Sequence, residues 1–126
     1  MRFQLTLLAC VAVAQGALAQ GNSERTVKVS VNNGVISVSP DPANMSKGHN
    51  KIVWSLASAG YTFANDGIVI EGNGKEYGDC GKQGSSTTVY VCKKLLHINL
   101  KQYKYDVNLI NASGQRVSLD PRIIND

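Results

Sequence analysis

Residues 102–110 read QYKYDVNLI, an alternation that puts Tyr103, Tyr105, Val107 and Leu109 on one side and Lys104, Asp106 and Asn108 on the other. A period of two marks a half-buried β-strand, because successive side chains leave a strand on opposite faces. The same pattern recurs at Thr26–Val31, where Val27, Val29 and Val31 share a face, and at Lys51–Ala57, where Ile52, Trp54 and Leu56 do. Trp54, the single tryptophan, is expected to anchor the core. Asn32-Asn33-Gly34 is a turn leading into a second strand at Val35–Pro40. Shorter strands are expected at Tyr61–Phe63 and Gly67–Glu71, broken by Ala64-Asn65-Asp66, and again at Thr87–Cys92 and Arg116–Leu119. Leu95–Leu100 fits a strand or an irregular connection. The polar stretch Asp41–Asn50 has room for one helical turn at Pro42–Ser46, with Asp41 as its N-cap. Gly72–Gly78 reads as a glycine-rich loop, and Asp120-Pro121 as the start of a tail.

Seven to nine short strands, with turns every eight to twelve residues, predict an all-β fold over residues 26–126. The expected architecture is a single antiparallel Greek-key β-sandwich of the immunoglobulin/cupredoxin kind. No stretch sustains helical periodicity.

The amino terminus reads as an address. Met1-Arg2 is positive, Leu5–Ala14 is an apolar run, and Ala17-Leu18-Ala19 is a small-x-small cleavage pattern. Residues 1–19 are therefore expected to be a signal peptide, and residues 20–25 a flexible lead into the domain. The run falls short of the ~20 apolar residues of a membrane span. The expected location is secreted or periplasmic, with no membrane span.

The whole chain has 126 residues, 13 Lys+Arg, 9 Asp+Glu and three cysteines. Without residues 1–19 it loses Arg2 and Cys10, leaving twelve basic residues against nine acidic and one cysteine pair. In an oxidising compartment Cys80 and Cys92 are expected to form a disulfide. Closing a loop of that size stabilises by about 3 kcal/mol in chain-entropy terms. The small net charge and the compartment exclude nucleic acid as a partner. An unidentified protein or an envelope component, anionic polymer or lipid headgroup remains, with the oligomeric state open.

Catalytic patterns are missing: no nucleophile elbow, zincin motif or Cys-x-x-Cys occurs. Asp66, Glu71, Glu76 and Asp79 are scattered through loops without regular ligand spacing. The chain is accordingly read as non-enzymatic and without a cofactor, acting by binding or association. The surface expected to carry that role holds Tyr103, Tyr105, Lys93, Lys94 and Lys104. A small hydrolase, or an inhibitor presenting a loop within Gly72–Gly84, is a further reading.

Two resemblances bear on this. Ile36-Ser37-Val38-Ser39-Pro40, then Lys47-Gly48 and Ile52-Val53-Trp54, resemble the opening of cupredoxins. That likeness implies an alternative function: copper-binding electron transfer through His49, Cys92 and His97, since a thiolate and two imidazoles select copper. The pattern lacks the methionine expected after His97, and a Cys80–Cys92 disulfide would consume the thiolate. More of the chain resembles a group of small uncharacterised secreted bacterial β-sandwich proteins. The shared features are Trp54-Ser55-Leu56, Asp66-Gly67-Ile68, Tyr103-Lys104-Tyr105 and Asp120-Pro121-x-Ile123-x-Asn125. That resemblance implies a fold and no activity. The cysteine pair stands outside the group's pattern.

Overall fold

In the computed structural model, residues 23–72 and 74–126 are described. The expected signal peptide, residues 1–19, lies outside the described residues. Ten strands and no helix form within them: β1 (Glu24–Asn32), β2 (Val35–Ser39), β3 (Ala43–Met45), β4 (Lys51–Leu56), β5 (Tyr61–Ile70), β6 (Tyr77–Lys82), β7 (Val89–Lys94), β8 (Gln102–Asn111), β9 (Arg116–Leu119) and β10 (Arg122–Asn125). Asn33 and Gly34, both at positive φ, turn the chain between β1 and β2.

The strands make two mixed sheets. The first runs β2-β1-β4-β7-β6, and the second runs β3-β10-β8-β5, with β9 also paired to β8. Pairing is antiparallel except for β1 with β4 and β3 with β10, which run parallel. The two parallel pairs depart from the all-antiparallel expectation.

One core lies between the sheets, and the alternating strands supply it as their periods require. Val27 and Val29 of β1, Ile52 and Trp54 of β4, and Tyr103, Tyr105, Val107 and Leu109 of β8 are all buried. Three aromatic pairs tie one sheet to the other. Trp54 meets Tyr105 with centroids 5.3 Å apart, Phe63 meets Tyr90 at 5.4 Å, and Tyr77 meets Tyr103 edge-on at 5.2 Å. Each such pair adds about 0.5–1.5 kcal/mol beyond its buried area. Against this stand the Trp54 Nε1 and Tyr105 hydroxyl, buried without a hydrogen-bond partner among the described residues. An unpaired buried group of this kind costs about 1–3 kcal/mol.

Several segments differ from the sequence reading, among them β6 (Tyr77–Lys82), a strand that begins inside the expected Gly72–Gly78 loop. β1 begins at Glu24 rather than residue 26. The Pro42–Ser46 stretch forms β3 instead of a helical turn, because residues 43–45 pair with residues 123–125. The Asp120-Pro121 tail continues into β10. The expected break at Ala64-Asn65-Asp66 is an irregularity inside β5, where the register to β8 shifts between Phe63 and Ile68. That irregularity is locked from three sides. Tyr90 donates its hydroxyl to the Asn65 carbonyl (2.7 Å), and Asn108 Nδ2 donates to the Asp66 carbonyl (2.7 Å). Arg116 holds the Asp66 carboxylate through two N–H···O bonds of 3.0 and 2.7 Å.

Candidate functional site

The connection from β7 to β8 crosses from one sheet to the other at one end of the molecule. It carries four of the large exposed apolar side chains: Leu95 (52% exposed), Leu96 (54%), Ile98 (37%) and Leu100 (82%). The run lacks the alternation that would let a strand turn half of it inward. Its backbone is nevertheless pinned. Leu95 N–H donates to the Glu76 carbonyl at 2.7 Å, and Leu100 N–H to the Asn125 carbonyl at 3.0 Å. Asn125 N–H donates in turn to the Lys101 carbonyl at 2.9 Å. Leu100 itself sits at φ 63°, a left-handed conformation that a bulky side chain rarely adopts.

Beneath the connection lies a buried polar hub. Tyr77 donates its hydroxyl to Asn125 Oδ1 (2.7 Å), and Asn125 Nδ2 donates to the Ile98 carbonyl (2.9 Å) and toward the Tyr103 hydroxyl (3.4 Å). Tyr103 donates to Glu76, whose carboxylate also meets Lys101 Nζ at 3.0 Å. Burial raises the phenols of Tyr77 and Tyr103 above their ordinary value, and the Glu76 bond raises Tyr103 further. Glu76 moves the other way: the Tyr103 hydroxyl first, then Lys101, hold its carboxyl below the usual range. A lowered folded value stabilises the protein above the ordinary carboxylate range, and that contribution is lost as pH falls through it. Thermal melts of Glu76→Gln should therefore lie below wild type near neutrality, with the gap closing on acidification. A gap that stays constant with pH would contradict this.

On the other flank, His97 meets Lys94 directly, and His49 is linked to it through Ser46. Lys94 Nζ donates to the Ser46 carbonyl (2.8 Å) and to His97 Nδ1 (2.7 Å). That bond leaves the ring proton on His97 Nε2, which donates to the main-chain oxygen of Asp126 at 2.9 Å. His49 Nδ1 accepts from Ser46 N–H at 3.0 Å. Burial, then Arg25 and Lys94, lower the His49 pKa, and burial lowers that of Lys94. Cys92 Sγ is bonded to Cys80 Sγ at 2.06 Å. A disulfide sulfur is not the thiolate that a blue-copper site requires. Among the described residues no group of three or more His, Cys, Asp or Glu gathers as a metal-holding set.

The aromatic half of the expected binding surface is not at the surface. Tyr103 and Tyr105 are each 1% exposed, because their face of β8 is the core face. Lys93 and Lys104 are outside, whereas Lys94 is partly buried. Lys93 stands directly across from Lys51 in the β4–β7 register, and Lys104 directly across from Arg122 in the β8–β10 register. Asn50, Lys51, Lys93, Lys94 and Leu95 line an open cleft of about 380 Å³. A second open cleft, about 450 Å³, lies at Asp66, Lys82 and Arg116. Its one carboxylate, Asp66, is held by Arg116, which lowers its pKa through their hydrogen bonds. Asp106 is raised by burial and then by its neighbour Asp120, yet both side chains are exposed and line neither cleft.

Most residues of the bacterial-group pattern do structural work. Trp54, Leu56, Ile68, Tyr103, Tyr105 and Ile123 are core, Gly67 lies under the Tyr90 ring, and Asn125 is the hub. The exposed Leu95–Leu100 run was the feature sequence reading missed. Its mark was four large aliphatic residues in six, without alternation, between Lys93-Lys94 and Lys101. The chain matches no family model and no curated protein.

Proposed function

We propose that the protein is a non-enzymatic, secreted or periplasmic Greek-key β-sandwich that works by association, and that the end carrying Leu95–Leu100 is its contact surface. The observation that carries this is the exposure of Leu95, Leu96, Ile98 and Leu100 on a backbone held by hydrogen bonds. Scattered exposed hydrophobes are ordinary, whereas four within six residues of one hydrogen-bonded connection are a concentration that favours an interaction site. The Cys80–Cys92 bond fits an oxidising compartment, where disulfides persist. No described helix is long and apolar enough to cross a membrane.

The reading is tested by site-specific photo-crosslinking in cells that export the protein. A benzophenone side chain at position 98 should capture a molecule, while the same group at position 28, exposed on β1, should not. Equal labelling at the two positions, or none at 98, would remove the contact surface.

A further inference from the structure

We infer that the Leu95–Leu100 end docks on an anionic phospholipid surface, with the four aliphatic side chains entering the acyl boundary and Lys51 and Lys93 engaging headgroup phosphates. This rests on the reading of the protein as a binding module and names its partner.

Leu100 is the first argument. It combines a positive φ of 63° with 82% exposure. Glycine or asparagine would suit that backbone better, and a polar residue would suit that exposure better. Folding gains nothing from leucine there, so the strain points to what lies outside the fold.

Charge is the second. Lys51 and Lys93 face each other directly across two strands, and like charges so placed repel. Each has one acidic partner in an exposed ion pair: Glu24 lies 3.6 Å from Lys51, and Asp79 lies 3.7 Å from Lys93. Such pairs contribute little. The cleft these lysines line with Lys94 has Leu95 as a further wall, so cationic pocket and apolar run are contiguous. A phosphate in the cleft relieves the repulsion and places acyl chains beside the leucines. The Lys104–Arg122 pair repeats the arrangement on the second sheet.

Composition separates a bilayer from a protein partner. Protein interfaces concentrate aromatic residues, methionine and arginine at their centre and are depleted in lysine. This end offers leucine, isoleucine and lysine, the composition of interfacial membrane contacts, where lysine stems run along the apolar layer and their charges reach the headgroups. A second copy fits poorly, because a two-fold contact sets one cluster of lysines against the other.

Vesicle flotation with the secreted chain tests the proposal. The protein should float with phosphatidylcholine vesicles containing about one-third phosphatidylglycerol, weakly with phosphatidylcholine alone, and less as salt rises. Leu96→Ser combined with Leu100→Asn should lower partitioning about tenfold or more. Lys51→Gln with Lys93→Gln should remove the preference for anionic vesicles. Leu100→Gly relaxes the backbone, so it should melt no lower than wild type and still bind vesicles less. That variant keeps the test clear of misfolding. Absence of flotation by folded wild type overturns the lipid assignment, as does flotation unchanged by the leucine variants or binding of inorganic phosphate without vesicles. A concentration-dependent dimer abolished by those variants would put a second copy in the lipid's place. If position 98 crosslinks to a protein while vesicles fail, the lipid assignment falls and the binding module stands. Failure of both removes both.

Discussion

Gly67→Val is expected to cost about 3 kcal/mol of folding free energy, and Gly67→Ala about 1–3. A Cβ at residue 67 would lie 2.8 Å from Tyr90 Cε2 and 2.9 Å from both Tyr90 Cδ2 and Phe63 Cβ. Neither neighbour is free to retreat. Tyr90 is tethered by its hydroxyl to the Asn65 carbonyl and packs on Phe63 with centroids 5.4 Å apart. The glycine is required here for clearance, with no demand on φ. For a domain of this size, 3 kcal/mol lowers the melting temperature by roughly 15 °C. Thermal unfolding followed by circular dichroism measures it. Shrinking the neighbour checks the cause: in a Gly67→Ala, Tyr90→Leu cycle, the two costs should fall short of additive, because the second change empties the space the first one fills. A Gly67→Val protein melting with wild type would remove the steric account of the β5 irregularity.

Replacing both Cys80 and Cys92 by alanine is expected to cost about 2–4 kcal/mol. The bond spans 12 residues and joins β6 to β7 across the register shift between Gly78 and Gly81. Cys92 is wholly buried, whereas Cys80 is exposed. The loss should be regional first. β6 is the edge strand of its sheet, and its first residue and the one before it carry the contacts that pin the leucine connection: Leu95 N–H donates to the Glu76 carbonyl, and Tyr77 donates to Asn125. Hydrogen exchange should show β6 and the Leu95 and Leu96 amides opening earlier than β1, β4 and β8. A reducing agent should reproduce the shift in wild type. Equal melting of reduced and oxidised protein would contradict it.

Strands that carry their own period were legible in the sequence. β1, β4 and β8 alternate in sequence, and their core faces follow from residue type, as does the place of Trp54; Asn108 is the exception, buried on the side expected to be outward, where it bonds the Asp66 carbonyl and Ser118. The segments that were not legible depend on a distant partner. Ala43–Met45 is too short to display a pattern and becomes β3 only because residues 123–125 pair with it. Tyr77–Lys82 holds two glycines and a register shift, which hide its strand character. The candidate site was legible in part. The lysines and the cysteine pair stood out, but the alternation that correctly put Tyr103 and Tyr105 on one side could not say that a second sheet covers it. Asn125 looked like an ordinary polar residue near the end of the sequence. Its role as a hub depends on Tyr77, 48 positions earlier.

The position of β10 has a consequence in time. It lies inside its sheet between β3 and β8, joined to residues 43–45 and 102–104. Until residues 122–125 arrive, β3 has no partner strand and this part of the second sheet stays open. Contacts so far apart in sequence form slowly, because the intervening chain must first be ordered. Among the described strands, the one that closes the sheet is the last in chain order. Topology therefore delays closure of the second sheet until residues 122–125 reach residues 43–45, however early those were made.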